Sequence, residues 1–292
     1  MIKAPAKVNL NLAVTGRTRE GYHELLSLVV FTEFGDELHI TPSSHHQVDV
    51  SGAFAPHLSA AGGEQLLSKA AALYQEITGR DQAYHICLDK HIPLGGGLGG
   101  GSADAGAFLR FLCNEDQLDQ TQRQKIRDAS VTLGADVPAC FDSQMQIMSS
   151  LGEAAYYCKA PSDAPVIILV NPDCHADTKA VFTSFKNAKT PFSTLDQDTL
   201  ATWVKAGQWD HILSAGNDLT KAAITLYPAI AEMHNIMTDR GAQFGSDFIG
   251  ASMTGSGASA FALFQNLETA KSYEAELRQK GLWAVSSFIK QS

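Results

Sequence analysis

The stretch Pro93-Leu94-Gly95-Gly96-Gly97-Leu98-Gly99-Gly100-Gly101-Ser102-Ala103 packs six glycines into seven positions. So much backbone freedom is costly to order and demands a reason. Without Cβ atoms, successive N–H groups can converge on an anion, and a helix that follows adds the positive end of its dipole. This is a cradle for phosphate. A flexible linker is the alternative, but linkers rarely run straight into an apolar helix. Here Ser102 can cap one whose Phe108, Leu109 and Leu112 face a core. No G-x-x-x-x-G-K-[ST] is present, which excludes the Walker type. Gly95-x-Gly97-x-x-Gly100 does fit the dinucleotide expression. However, Pro93 breaks the approach, several elements come earlier, and Asp119 lies in a polar helical stretch. A dinucleotide-dependent oxidoreductase therefore ranks below a phosphate-binding enzyme.

Phosphoryl transfer needs in-line positioning, charge neutralisation and a group that orients or deprotonates the attacking hydroxyl. A carboxylate serves as base, and an adjacent ammonium favours its ionised form. Lys7 lies beside Asn9 on the polar side of the first strand, a side free to line a cleft. Asp136 follows a helix stop, with Val137 held extended by Pro138. Read alone, Asp136 is equally a turn or N-cap residue. Tyr22-His23 follows Gly21 in a loop, where an aromatic can stack on a base and a neutral imidazole can read a pyrimidine edge. Without further support, the pair fits a surface loop and Phe182 a core position. Gly255-Ser256-Gly257 is either a plain hairpin turn or a second set of amides facing phosphate.

These residues must be positioned by a chain of 292 residues, a length that favours two domains or one large one. With 45% hydrophobic and 18% charged residues it is a globular composition, not a disordered one. A net charge of −9 argues against wholesale nucleic-acid wrapping or docking on anionic lipid. The N-terminus lacks the apolar centre of a signal peptide, and Val166 to Val170 is far short of a membrane span. Cys87, Cys113, Cys140, Cys158 and Cys174 form no C-x-x-C pair and read as free, buried thiols in a reducing cytoplasm. His45-His46 reads as a loop pair and not a metal site. The expectation is a soluble cytoplasmic protein, monomer or homodimer, whose partners are small molecules, without nucleic acid or membrane.

Period-two alternation predicts a strand over Ala6 to Val14. Leu25 to Phe34 and Glu37 to Thr41 read as two strands around a Gly35-Asp36 hairpin signal. Residues 42–63 read as loop, and Glu64 to Thr78 as a helix stopped by Gly79. Tyr84 to Leu88 is a strand, and Gln120 to Leu133 a helix. Then come a buried strand over Val166 to Val170 and helices near Thr178–Lys186 and Thr199–Ala206. A helix starts at Pro228 and runs to about Arg240, where Gly241 follows. Strands over Gly250–Met253 and Ala258–Phe264, a helix over Leu267–Gln279 and a strand over Trp283–Ile289 finish the chain. Strands and helices intermixed in two blocks predict an α+β protein of two domains, 1–155 and 156–292.

Pro93 to Ser102 resembles the glycine-rich second motif of the GHMP small-molecule kinases, named for galactokinase, homoserine kinase, mevalonate kinase and phosphomevalonate kinase. Pro5-Ala6-Lys7-Val8-Asn9-Leu10 resembles the first motif and Met253-Thr254-Gly255-Ser256-Gly257-Ala258 the third. Gly21-Tyr22-His23, Leu133-Gly134-Ala135-Asp136-Val137-Pro138 and Asn217-Asp218-Leu219 resemble the members that act on a cytidyl substrate. Together these segments cover the chain nearly end to end.

The resemblance implies a two-domain fold, a ribosomal-protein-S5-like N-terminal domain followed by a ferredoxin-like C-terminal one. It implies ATP-dependent phosphorylation of the 2-hydroxyl of 4-diphosphocytidyl-2-C-methylerythritol in non-mevalonate isoprenoid synthesis, with Mg2+. Pro93 to Ala103 would hold ATP, Asp136 would be the catalytic aspartate and Lys7 its partner. Tyr22 and His23 would hold the cytosine, with Phe182 a second stacking face. Asn9, Thr178, Gly255 and Ser256 would be further substrate contacts. The general motif has two serines where this chain has Gly100 and Gly101, so no metal ligand follows from it. Gly106 stands where alanine is usual, at a cost of about 1 kcal/mol in helix propensity. Ser150 and Lys179 replace a common glycine and a frequent proline. The rivals are a GHMP kinase acting on mevalonate, homoserine or a sugar, and a non-catalytic nucleotide-binding module.

Overall fold

The structure, a computed structural model, describes residues 1–56, 64–150 and 154–291. The later part of the loop expected over 42–63 and the segment 151–153 lie outside the described residues. In chain order the first half carries β1 (Ile2–Asn9), β2 (Ala13–Arg17), β3 (His23–Ser43), β4 (Gln47–Ser51), α1 (Glu64–Thr78) and β5 (Ala83–Asp89). It continues with α2 (Gly100–Glu115), α3 (Gln120–Ala129), α4 (Val137–Asp142), β6 (Gln146–Ser150) and β7 (Ala154–Tyr157). The second half carries β8 (Val166–Asn171), α5 (Thr178–Asn187), α6 (Gln197–Lys205), α7 (Trp209–Ser214), α8 (Thr220–Leu226) and α9 (Pro228–Gly241). It closes with β9 (Phe248–Met253), β10 (Ala260–Phe264), α10 (Leu267–Gln279) and β11 (Trp283–Phe288). This is a mixed α+β chain, as its pattern predicts.

The residues divide into two compact units, and the division is not a single cut. The first holds 1–7, 34–94 and 99–143; the second holds 8–33, 95–98 and 144–292. In the first unit the later half of β3 pairs antiparallel with β5, Leu38 opposite Leu88 and Ile40 opposite Ile86. β4 pairs with β5 in parallel. Leu38, Leu67, Tyr74, Tyr84, Ile86, Phe108 and Leu112 are buried, and Tyr84 sets its ring edge against Phe108 and Phe111.

The second unit has a four-stranded antiparallel sheet in the order β11-β8-β10-β9. β8 is buried along its whole length, which explains why it reads as a continuous apolar run and not as an alternation. One apolar cluster gathers Val166, Ile168, Phe264, Ile230, Met233 and Tyr273. The earlier half of β3 pairs with β2 and with β6, which pairs in turn with β7.

Several local expectations fail, among them the loop over 42–63, which carries the strand β4 (Gln47–Ser51). Gly35-Asp36 is not a turn, because β3 runs unbroken through it. A Cβ on Gly35 would stand 2.2 Å from the Ala4 carbonyl oxygen, so this glycine admits the close passage of β1. Asp36 is fully buried and tied elsewhere. The first strand ends at Asn9, and its polar side is covered as well: Lys7, Asn9 and Asn11 are all buried. All five thiols are free, but only Cys113 and Cys140 are buried, while Cys87 is exposed.

Candidate active site

In the first unit the sequence builds an anion site around one ion pair. Lys7 Nζ lies 2.8 Å from Asp136 Oδ2, the lysine side chain 6% exposed and the aspartate 38%. A lysine buried this far loses its hydration and needs an anionic partner. Asp136 stands at the N-cap of α4 yet makes no side-chain cap bond, so its carboxylate is committed to Lys7 and not to the helix. Val137 is the first residue of α4 and not an extended one, since Pro138 tolerates the first helical turn.

The glycine loop reaches the same place. Gly99 takes a left-handed φ of 66° as the N-cap of α2, and a Cβ there would be 3.2 Å from Lys7 Cβ. Ser102 therefore lies inside the first turn and does not cap the helix. α2 has no side-chain cap and no acidic residue in that turn. Its leading amides lack intrahelical acceptors and carry the positive end of the dipole. An uncapped helix start, a buried ammonium and a half-exposed carboxylate suit a phosphate and a hydroxyl to be deprotonated.

Sequence reasoning missed the anchor beneath this loop. Lys90, fully buried, contacts Asp36 and lies 2.7 Å from Asp104 Oδ2. Asp36 Oδ1 also accepts the amides of His91 at 2.6 Å and Ile92 at 2.8 Å. The cluster thus ties the entry to the loop (Ile92, just before Pro93) to its exit in α2 (Asp104). Burial pushes the Asp104 carboxyl up, against the opposing pull of Lys90. Asp104 Oδ1 is buried without a partner. The available signal was an aspartate on the apolar side of a helix between Ala103 and Ala105.

Gly106 finds its reason here too. A Cβ on it would meet the Cys140 carbonyl carbon and Phe141 amide nitrogen at 2.6 Å, so α2 and α4 pack backbone to backbone. Arg110 fastens the same contact by donating to the Cys140 and Phe141 carbonyls, both at 2.8 Å. Burial first, and then Asp136, pushes the Cys140 thiol far up, so it stays neutral.

The second unit gathers the other expected residues. Thr18 N–H donates to the Tyr22 carbonyl at 2.8 Å and closes a turn through Gly21, leaving Tyr22 66% exposed. His23 stacks on Phe182, ring centroids 5.3 Å apart and planes at 25°, and meets Phe185 edge-on. Phe182 is half-buried: one face stacks on His23, and the ring also packs against the core cluster. Burial, followed by the charges of Arg17 and Lys186, lowers the His23 pKa, so its ring is neutral at pH 7.

Asn9 donates to Ser27 Oγ at 2.7 Å, and its amide N–H donates to Thr254 Oγ1 at 2.9 Å. Its Oδ1 is buried and unpartnered, close to Gly255. Thr178 Oγ1 and Ser256 Oγ share a hydrogen bond of 2.8 Å. The loop from Thr254 to Ser259 closes the hairpin of β9 and β10, as expected. Asn217 shapes it by donating to the Met253 and Gly255 carbonyls, both at 2.9 Å. Gly97, at φ 75°, lies against this loop: a Cβ would be 2.7 Å from the Thr254 carbonyl oxygen. Ser259 N–H donates to Gly96 O at 2.9 Å.

Fold and residues together define a GHMP kinase. The family model for the GHMP kinases N terminal domain matches residues 65–144, and that for the GHMP kinases C terminal region matches 201–281. A relative named 4-diphosphocytidyl-2-C-methyl-D-erythritol kinase from Agrobacterium fabrum is 34% identical over 284 residues, 95% of this chain and 91% of its own length. One of the same name from Paramagnetospirillum magneticum is 35% identical over 277 residues, 94% and 93%. A crystal structure of 4-(cytidine 5'-diphospho)-2C-methyl-D-erythritol kinase superposes with a TM-score of 0.77 at 28% identity, covering 99% of each chain. A crystal structure of L. major mevalonate kinase in complex with R-mevalonate gives a TM-score of 0.67 at 14% identity over 100% of this chain and 97% of its own, a likeness of fold alone. The chain belongs to the 4-diphosphocytidyl-2-C-methyl-D-erythritol kinase family. Among the described residues no helix is long and apolar enough to cross a membrane.

Proposed function

We propose that this chain transfers the γ-phosphoryl group of ATP to the 2-hydroxyl of 4-diphosphocytidyl-2-C-methyl-D-erythritol, giving the 2-phosphate and ADP. The observation that carries this reading is the Lys7–Asp136 pair beside Gly99 and the open start of α2. Asp136 takes the proton of the hydroxyl as its oxygen forms a bond to the γ-phosphorus. The bond from that phosphorus to the β–γ bridging oxygen breaks, and ADP departs with its electron pair. Lys7 orients the carboxylate through one oxygen and leaves the other to accept the proton. Pro93 to Ala103 hold the ATP phosphates through backbone amides and the helix dipole, charge stabilisation that needs no reorganisation during transfer.

For the cytosine, Tyr22 offers an exposed stacking face, Phe182 backs the His23 ring and would stack through it, and the neutral His23 ring can donate and accept at a pyrimidine edge. The unpartnered Asn9 Oδ1, the Thr178–Ser256 hydroxyl pair and the Gly255 backbone supply the remaining polar contacts. A boundary between N- and C-terminal family domains at residue 155 is part of this reading, supported by the two family models falling on either side of it.

Magnesium belongs to this chemistry. The first turn of α2 offers no carboxylate, Asp104 is buried on Lys90, and Asp136 is engaged with Lys7. That donor set fits an ion carried on the ATP phosphates and largely hydrated, as magnesium prefers. When bound, it neutralises charge on the transferring group. Coupled ADP release tests the reading, with the cytidyl alcohol offered beside mevalonate, homoserine and galactose. Turnover confined to the cytidyl alcohol supports it, and turnover with another alcohol instead overturns the role given to Tyr22 and His23.

A further inference from the structure

The outer side of β4 and β5 in the first unit carries chemistry that phosphoryl transfer does not use. His85 and Cys87 are two apart on β5, so both side chains leave the same face. Asp49 is the register partner of Cys87 on β4. His85 Nε2 lies 2.7 Å from Asp49 Oδ2 and 3.7 Å from Cys87 Sγ. One oxygen, one nitrogen and one sulfur donor thus stand within 4.8 Å of one another.

Two chemistries use such a trio. A nucleophile relay needs the carboxylate and the thiol on opposite ring nitrogens, one to orient the imidazole and the other to lose its proton. Here both address the same Nε2, so no relay can form. Donors that converge on a common point are instead the arrangement of a ligand set.

We propose that Asp49, His85 and Cys87 form a three-ligand site for a borderline-soft divalent cation of the zinc type, with water in the fourth position. Zinc bonds of about 2.0–2.3 Å at tetrahedral angles place donors roughly 3.3–3.6 Å apart. The sulfur–nitrogen gap of 3.7 Å lies just above that range, and the carboxylate oxygen, 2.7 Å from the ring nitrogen, has to back away by about 0.6 Å to enter it. Gln47 Nε2 donates to both oxygens of Asp49, at 3.1 and 3.2 Å, and orients the carboxylate from a neighbouring position. All three ligands sit on paired strands and not on a loop, so their backbones are held in register before the ion arrives. Bound there, the ion clips β4 to β5, apart from Lys7, Asp136 and the glycine loop.

The test uses the full chain without a histidine tag, stripped with a chelator and titrated with cobalt(II) as a spectroscopic probe. The expected result is a thiolate-to-cobalt charge-transfer band that saturates at one equivalent and is displaced by zinc. The band is lost in Cys87→Ser and in His85→Asn, and retained in Cys158→Ser and Cys174→Ser. Zinc raises the Tm of the parent chain and leaves that of Cys87→Ser unchanged. ADP release by Cys87→Ser matches the parent and certifies that the variant is folded. A parent chain without the band, or a band that survives Cys87→Ser, overturns the proposal.

Discussion

Asp136 and Tyr22 do different work, and their loss should register in different kinetic constants. Asp136 acts only as the hydroxyl loses its proton, so Asp136→Asn is expected to lower kcat by at least about a hundredfold. Tyr22, two-thirds exposed, offers its ring to a base in ground state and transition state alike. Tyr22→Ala should therefore raise KM for the cytidyl substrate with kcat nearly kept. A stacking loss of about 1–3 kcal/mol corresponds to a roughly 5- to 150-fold rise. His23 adds a pH signature. Its pKa is lowered, chiefly by burial, so the ring that can both donate and accept persists at neutrality and vanishes only on acidification. kcat/KM for the cytidyl substrate should fall in that acidic range, and a steady-state pH profile checks it.

At the scale of elements, helix α2 carries both the phosphate loop and the contact that sets α4. Helix propensity alone says Gly106→Ala should stabilise by about 1 kcal/mol. The 2.6 Å approach to Cys140 and Phe141 says the opposite. Overpacking there should cost about 1–3 kcal/mol, readable as a lower urea midpoint, and should displace Asp136 enough to reduce turnover. The Lys90–Asp36–Asp104 cluster gives a second expectation. Burial raises the folded Asp104 carboxyl well above its ordinary value, so between the ordinary value and the raised one the folded chain binds a proton that the unfolded chain has released. Its contribution to stability therefore falls as pH rises from the ordinary carboxyl value through the raised one and is level above. Asp104→Asn should remove that slope, so Tm differences between parent and variant should change with pH in this interval and not outside it.

At the scale of the whole molecule, what the sequence made legible depended on whether a signal was local. The helices Glu64–Thr78 and Leu267–Gln279 were readable from spacing and terminal residues, since caps and amphipathic period are local facts. Gly35-Asp36 misled because a turn signal is also what a close strand passage and a buried acid look like in one dimension. α7, α8, β6 and β7 are too short to carry a period of their own. The site residues were legible as ordered motifs, yet why Gly99 and Gly97 must be glycine needed the positions of Lys7 and Thr254. Lys90 and Asp104 were invisible for the same reason, as a buried charge is defined by partners distant in the chain.

The most direct test of the central claim is steady-state ADP release with ATP, magnesium and 4-diphosphocytidyl-2-C-methyl-D-erythritol, run on the parent chain and on Asp136→Asn side by side. The account predicts turnover by the parent, formation of the 2-phosphate, and loss of turnover in the variant while ATP still binds. Equal turnover by the two proteins, or tight ATP binding by the parent with no transfer to the cytidyl alcohol, would contradict it.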